Sequence, residues 1–305
     1  MGGRVVSDVF VLFNPAAGRG RGARRIPRFR ELLDRALPGR CTHATTSRAG
    51  EEASRVDAAL DRGYDTIVAV GGDGTWSAVA DRIARRPEPR PKLALLPGGT
   101  GNDFGKSLGI VWDRAEEIVA SIATGRTRRV DVGRVGDRTF LNVVGMGFDI
   151  AVIDDSYRVP ILKGDALYKF CALRQLFSYP GQHFRVRGAN GDGDVEPVAH
   201  LMLVVANGRY FGGSFDIAPD ADLTDGAVDV VSIRDARPLT RAKLFGLVAK
   251  GQHVGHERVA IRHGARFEID FQGPLRYEVD GEVLETSGDR LVIESVPGAL
   301  EIVVP

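Results

Sequence analysis

The sequence predicts a two-domain α/β protein, with a layered parallel α/β domain over residues 1–128 and a β-rich domain over 129–295. Three observations lead there. Short apolar runs alternate with amphipathic stretches through the first hundred residues, the pattern of a parallel sheet with crossover helices. Beyond them, strand-like runs separated by Gly, Asp and Pro take over. The 305 residues also exceed one ordinary domain, at roughly 150 residues each.

In the first domain the apolar runs place strands over 9–13, 41–45, 66–70 and 92–96. Apolar residues at helical spacing place helices over 23–37, 49–62 and 75–84. Each strand ends in a loop rich in Gly, Asn or Thr. A helix over 113–123 closes this half. The second half reads as strands over 129–135, 139–144, 183–187, 200–206, 227–233, 266–271, 277–279 and 291–295. Helices over 161–176 and 240–248 interrupt them, and 188–194 is a Gly/Asp-rich turn.

Apolar residues at 43% and charged residues at 27% place the chain among globular proteins and away from disordered ones. Lys plus Arg (41) and Asp plus Glu (40) nearly cancel, so no global field draws nucleic acid or an anionic membrane. The richest local patch, Arg19, Arg21, Arg24, Arg25, Arg28 and Arg30, fits a solvated helix face or an anion-facing surface equally. Cys41 and Cys171 lack metal or redox spacing and are expected as free, buried thiols. With no apolar signal core and no run of eighteen apolar residues, the expected location is the cytoplasm, with membranes touched only from outside.

The strand over 66–70 runs into Gly71-Gly72-Asp73-Gly74-Thr75, and a helix follows. Small residues there let backbone N–H groups and a helix N-terminus approach a polyphosphate. A carboxylate repels phosphate unless a cation intervenes, so Asp73 points to magnesium. A tight turn with Asp73 as N-cap is the plainer alternative. The next strand leads into Pro97-Gly98-Gly99-Thr100-Gly101-Asn102-Asp103-Phe104, and the first into Asn14-Pro15-Ala16-Ala17-Gly18. Loops after parallel strands share one sheet edge, where α/β ligands bind. The run ending Gly105-Lys106-Ser107 misses the P-loop pattern, because Thr100 stands where its first Gly belongs. No dinucleotide fingerprint follows a strand either.

Together with Asp131-Val132-Gly133, Asn142-x-x-Gly145-x-Gly147-Phe148-Asp149, Asp225-Gly226-x-x-Asp229-Val230 and Asp280-Gly281-Glu282, these loops resemble the diacylglycerol kinase catalytic family, which includes bacterial lipid kinases and sphingosine kinases. The resemblance spans nearly the whole chain. It implies a Rossmann-like, three-layer α/β nucleotide-binding domain of the NAD kinase/phosphofructokinase kind and a β-sandwich-like second domain. The active site would lie between them, and segment 296–305 would return to the first domain. Two positions depart from the family pattern: Trp76-Ser77-Ala78 replaces a Leu-Asn-Glu-like run, and Ala17 replaces a small hydroxyl residue.

The resemblance also implies roles. Asn14, Pro15, Ala16, Ala17, Gly18, Thr46, Gly71, Gly72, Asp73, Gly74, Thr75, Thr100, Asn102 and Asp103 would surround ATP. Asp73, Asp103 and Asp131 would serve a magnesium and water network. Asp222, Asp225 and Ala227 would hold a second, structural cation, although a solvated acidic turn explains the same loop. Glu282 would be the general base for a lipid hydroxyl; without the family, Asp280-Gly281 reads as a plain hairpin turn.

The segment 161–179, with Ile161, Leu162, Leu167, Phe170, Leu173, Leu176 and Phe177 among Lys163, Lys169 and Arg174, fits either a membrane-surface helix or one covering the β core. The partner implied is a lipid presented by a membrane, not nucleic acid, and a homodimer fits as well as a monomer. No histidine pattern suggests zinc, and Gly212-Gly213-Ser214-Phe215 lacks the second Gly of a nucleophile elbow. A kinase of a soluble cofactor such as NAD, or a catalytically silent nucleotide- or lipid-binding protein, are the competing readings.

Overall fold

A computed structural model of the chain describes residues 8–156, 158, 164–189, 193–213 and 215–305. The first half alternates β1 (Val9–Phe13), α1 (Ala17–Ala36), β2 (Cys41–Thr45), α2 (Glu51–Asp61), β3 (Thr66–Gly71), α3 (Asp73–Ala84) and β4 (Lys92–Pro97), followed by α4 (Asp103–Ser107), α5 (Ala115–Thr124) and β5 (Thr127–Val135). The strands β2, β1, β3 and β4 lie in that order, all parallel, with Val9 opposite both Cys41 and Thr66, and Thr66 opposite Lys92. β1 and β3 are buried along their whole length. That is why they read as unbroken apolar runs, as strands covered on both faces do. α1 packs with α5, and α2 with α3. Residue Cys41 lies on edge strand β2 and is half-buried, whereas Cys171 is buried; both are free. Burial pushes the Cys41 thiol up to about 11, which keeps it protonated and unreactive.

The second half adds β6 (Arg138–Phe140), β7 (Val143–Gly147), α6 (Phe148–Ser156), α7 (Gly164–Ser178), β8 (Gln182–Gly188), β9 (Val198–Ala206), β10 (Tyr210–Phe211), β11 (Phe215–Asp216), β12 (Val228–Arg234), α8 (Pro238–Val248), β13 (Val259–Gly264), β14 (Arg266–Asp270), β15 (Leu275–Val279), β16 (Glu282–Thr286) and β17 (Arg290–Val303). It is a sandwich whose two sheets share a corner. β8 pairs with β9 on one side and β14 on the other. Between the sheets Phe140, Val186, Leu203, Val205, Phe267, Ile269 and Ile293 form one core. On the opposite face of β9, Met202, Val204 and Ala206 pack with Phe148, Val152, Cys171, Leu244 and Val248 from α6, α7 and α8. Strand alternation thus feeds two cores from one apolar run.

β17 joins the halves. Its first part pairs with β14 and β5, its register shifts between Val296 and Leu300, and beyond that Ile302 pairs in parallel with Leu93 of β4.

Several elements differ from the reading of the sequence. The single strand expected over 139–144 is two, β6 and β7, because Asp280 takes the backbone N–H groups of Leu141, Asn142 and Val143 out of any ladder. α6 was hidden behind the Gly145-Met146-Gly147 run; Gly147, at φ +114°, turns the strand directly into the helix. β13 and β16 were not foreseen. Of the helix expected over 161–176, Ile161, Leu162 and Lys163, like the side chains of Leu167 and Lys169, lie outside the described residues. The arginine patch, whose Arg19 side chain is likewise outside them, is partly folded inward. The Arg25 guanidinium sits 4.2 Å from the Trp112 ring centroid and donates to the Pro97 and Gly99 carbonyls, and Arg28 pairs with Glu116.

Candidate active site

Parallel strands end at one edge, so β1, β3 and β4 deliver their loops side by side. The contacts between those loops explain their glycines. The N–H groups of Gly98 and Gly99 donate to the Gly71 carbonyl at 2.7 and 3.1 Å. A Cβ on Gly99 would stand 2.6 Å from the Gly72 Cα, closer than any side chain permits. Gly18, at φ +61°, approaches the same loop, where a Cβ would lie 3.1 Å from the Gly98 carbonyl oxygen. Asn14 ties the loops together: its Nδ2 donates to Thr75 Oγ1 (2.9 Å) and Glu52 Oε1 (3.0 Å), and its Oδ1 accepts from the Ala16 N–H (2.9 Å).

These loops enclose a cleft of about 680 Å³ lined by Asn14, Pro15, Ala16, Ala17, Gly18, Thr46, Gly72, Asp73, Gly74, Thr75 and Thr100, with Glu282 reaching in from the β domain. α1 and α3 begin there without side-chain caps, which leaves N–H groups and the positive end of each helix dipole facing the space.

A second cleft of about 580 Å³ shares Asp73, Thr100 and Gly101 with the first and is closed by Asp103, Asn142, Phe211, Gly213, Glu278 and Asp280. Phe211 in turn lines an apolar pocket of about 410 Å³ with Phe148, Leu173, Leu176, Met202 and Phe245. The three spaces share walls in sequence, from glycine loops to aromatic rings.

Two carboxylates stand where the first two clefts meet. Burial, with the nearby Asp103 charge adding to it, pushes Asp73 up to about 6, while the Asn102 and Asp103 N–H groups oppose the shift. The Asp103 N–H donates to Asp73 Oδ1 at 2.6 Å. Asp103 is gripped by Lys106 Nζ (2.6 Å) and the Gly213 N–H (2.6 Å), so the loop that missed the P-loop pattern uses its lysine as a clasp between domains.

The comparisons with known proteins agree with this geometry. The model of the diacylglycerol kinase catalytic domain matches residues 8–135. That of the YegS C-terminal NAD kinase beta sandwich-like domain matches 142–304, more than half the chain. The chain belongs to the diacylglycerol kinase catalytic family. Curated relatives include the diacylglycerol kinase of Staphylococcus haemolyticus (strain JCSC1435), 29% identical over 89% of this chain and 81% of that one. That of Bacillus subtilis (strain 168) is 26% identical over 89% and 88%. The crystal structure of a diacylglycerol kinase from Bacillus anthracis str. Sterne shares the fold, with a TM-score of 0.76 at 22% identity over 98% of this chain and 97% of that one. This chain is therefore a lipid kinase of that family, a phosphotransferase acting on an alcohol group.

Not every residue assigned from the sequence stands in this kinase's cleft. Gly71 and Asn102 fasten the loops from behind: Asn102, at φ 51°, donates from Nδ2 to the Gly71 carbonyl (3.2 Å). Asp131 departs further. Its Oδ2 accepts from the Gly226 N–H and its Oδ1 from the Gly298 N–H, each at 2.7 Å. It staples β5 to two turns and lines neither polar cleft. In the acidic loop Asp222 Oδ1 accepts from Thr224 and lies 3.5 Å from the Arg128 guanidinium, while Asp225 Oδ1 accepts from the Ala227 N–H and its Oδ2 lies 3.7 Å from His263 Nε2. Among the described residues no group of three or more His, Cys, Asp or Glu is placed to hold a metal ion.

Asp280 does more than turn the hairpin. With Asp280 at φ 47° and Gly281 at φ 89°, the turn sends the carboxylate inward, where it accepts from the Leu141 (2.7 Å), Asn142 (2.9 Å) and Val143 (3.0 Å) N–H groups. Burial nevertheless pushes this carboxyl up from its ordinary value. Asp280→Ala would strand three donors, so unfolding free energy should fall by roughly 2–5 kcal/mol, read by denaturant titration; a loss under about 0.5 kcal/mol would refute the anchor.

Proposed function

We propose that this kinase transfers the γ-phosphoryl group of ATP, with magnesium, to the hydroxyl of a membrane lipid such as diacylglycerol. The observation that carries the reading is the shared wall at Asp73 and Thr100, with a glycine-lined cleft on one side and, on the other, a cleft whose wall residue Phe211 also lines an apolar pocket.

A triphosphate suits the first cleft because its walls are backbone where a Cβ would collide, and because two helix ends stand uncapped. Asp73 and Asp103 would hold magnesium, which takes one or two carboxylates together with substrate phosphates and keeps several waters. When bound, the ion neutralises charge on the β- and γ-phosphates. Asn14 and Thr75 keep the loops in register, and Glu282 accepts the proton of the acceptor hydroxyl. One P–O bond to the acceptor forms as the bond to ADP breaks.

The lipid would enter from a bilayer past α7. That helix exposes Phe170, Leu173 and Phe177, and α8 exposes Leu239. The positions 170, 173 and 177 recur at helical spacing on one face, and Leu173 also lines the apolar pocket. This face would meet the cytoplasmic surface of the membrane. Replacing Phe170 and Phe177 together by Asp should weaken vesicle co-sedimentation about tenfold or more, since burial of each apolar side chain contributes of order 1.5–3 kcal/mol, while a short-chain, water-dispersed acceptor is still phosphorylated. Unchanged vesicle binding would move the membrane face elsewhere.

The decisive experiment supplies purified protein with labelled ATP, magnesium and a panel of diacylglycerol, sphingosine, other lipid alcohols and NAD. A labelled lipid is expected. Label on NAD alone, or on no acceptor, would overturn the proposal.

A further inference from the structure

The side chain of Glu282 is 58% exposed, yet a general base must be aimed. Its backbone is set by the hairpin, where Val279 faces Glu282 across a two-residue turn. Among the described residues its side chain has one hydrogen-bonding partner, Arg138, which grips both oxygens, Nη2 to Oε2 at 2.7 Å and Nη1 to Oε1 at 3.4 Å.

Arg138 is itself tied to the phosphate-binding side of the molecule. The next residue, Thr139, donates its N–H and hydroxyl to Asp81 Oδ1 at 3.0 and 2.9 Å. Asp81 lies on α3, whose first turn supplies Asp73, Gly74 and Thr75 to the nucleotide cleft. Arg85, one turn beyond Asp81, holds Asp81 Oδ2 at 2.9 Å and donates to the Asp137 carbonyl. A rigid path therefore runs from the phosphate loops along α3, through hairpin 137–139, to the Glu282 carboxylate. Arg138 also stands near the Asp81 and Asp280 charges, but an ion pair to a carboxylate as exposed as that of Glu282 contributes little to stability.

We infer that Arg138 is a positioning residue for phosphoryl transfer, fixing the Glu282 carboxylate at a set distance from the phosphates held by α3. The inference rests on Glu282 acting as the base. Misplacement of a reacting group by about 1 Å can lower a rate 10²-fold, and a fork of two N–H groups restrains a carboxylate where a single ammonium does not.

The test measures steady-state turnover with labelled ATP and a lipid acceptor for Arg138→Gln, Arg138→Lys, Glu282→Gln and the double variant Arg138→Gln/Glu282→Gln. For Arg138→Gln, kcat should fall roughly 10- to 100-fold with the KM for ATP within about twofold and an unchanged melting midpoint. Arg138→Lys should recover part of the loss, because charge returns without the fork. The double variant should be no slower than Glu282→Gln alone, since a residue acting only through Glu282 has nothing left to position. Additive losses, or a loss of ATP affinity matching the loss of kcat, would overturn the inference. Full activity in Arg138→Gln beside an impaired Glu282→Gln would remove Arg138 alone; full activity in Glu282→Gln would remove the base itself.

Discussion

Glu282→Gln is expected to lower turnover by roughly 10² to 10⁴, the range for loss of a general base, while nucleotide binding persists. The expectation follows from where the side chain stands. Glu282 is the β-domain residue in a cleft otherwise built from the loops of the α/β domain and the start of α2 and α3. Its phosphate-facing walls, Gly18, Gly72, Gly74 and Gly99, present backbone, and a change at Glu282 moves none of them. Glutamine keeps the shape and an oxygen for Arg138 but has no capacity to take a proton at neutral pH. Single-turnover phosphorylation with labelled ATP, set beside equilibrium nucleotide binding, separates chemistry from affinity. Turnover within about threefold of the parent enzyme would exclude Glu282 from this role.

Asp73→Asn should act in the opposite place, on nucleotide and metal handling. The carboxylate is held in a poorly solvated spot beside a second acid, which is why burial and Asp103 raise it to about 6. At neutral pH it is largely ionised at a cost to the folded state. Asparagine can still accept the Asp103 N–H through its carbonyl oxygen and removes the charge. The melting midpoint should therefore hold or rise, while the magnesium concentration needed for half-maximal activity climbs about tenfold or more, as loss of one of two carboxylate ligands implies. A variant with normal magnesium dependence would dissociate Asp73 from the metal. One that unfolds would show that the carboxylate serves stability instead.

The legibility of this protein followed the range of the interactions involved. The glycine loops declare themselves because three or four neighbouring residues settle whether backbone can approach phosphate, and parallel strands bring such loops to one edge whatever the details. β1, β3 and β4 were equally plain, since strands buried on both faces must be apolar at every position. Roles set by distant partners were not plain. Asp131 looks like any motif aspartate until Gly226 and Gly298, 95 and 167 residues away, are seen to occupy its two oxygens. Gly71 and Asn102 sit inside the right motifs but bond to each other rather than line the first cleft. Lys106 was set aside with the failed P-loop pattern, yet it closes the contact between Asp103 and the β10–β11 turn.

Asp280 and Glu282 show the division within three residues. Their spacing around Gly281 specifies a tight hairpin locally, through positive φ at both turn positions. Which carboxylate turns inward to hold β7 and which reaches across to the phosphate loops depends on strands β7 and β16 pairing to either side of β15. By itself, then, the sequence determined the α/β class and the glycine-rich loops, which depend on short-range periodicity and on where glycine is sterically required, and the family, which is carried by the order of its motifs. Only the tertiary structure decided which acids share the cleft, which are consumed as backbone anchors, and that Arg138 faces Glu282. Those outcomes depend on hydrogen-bond partners supplied by segments far apart in the chain, and a carboxylate's role is set by the donors that reach it.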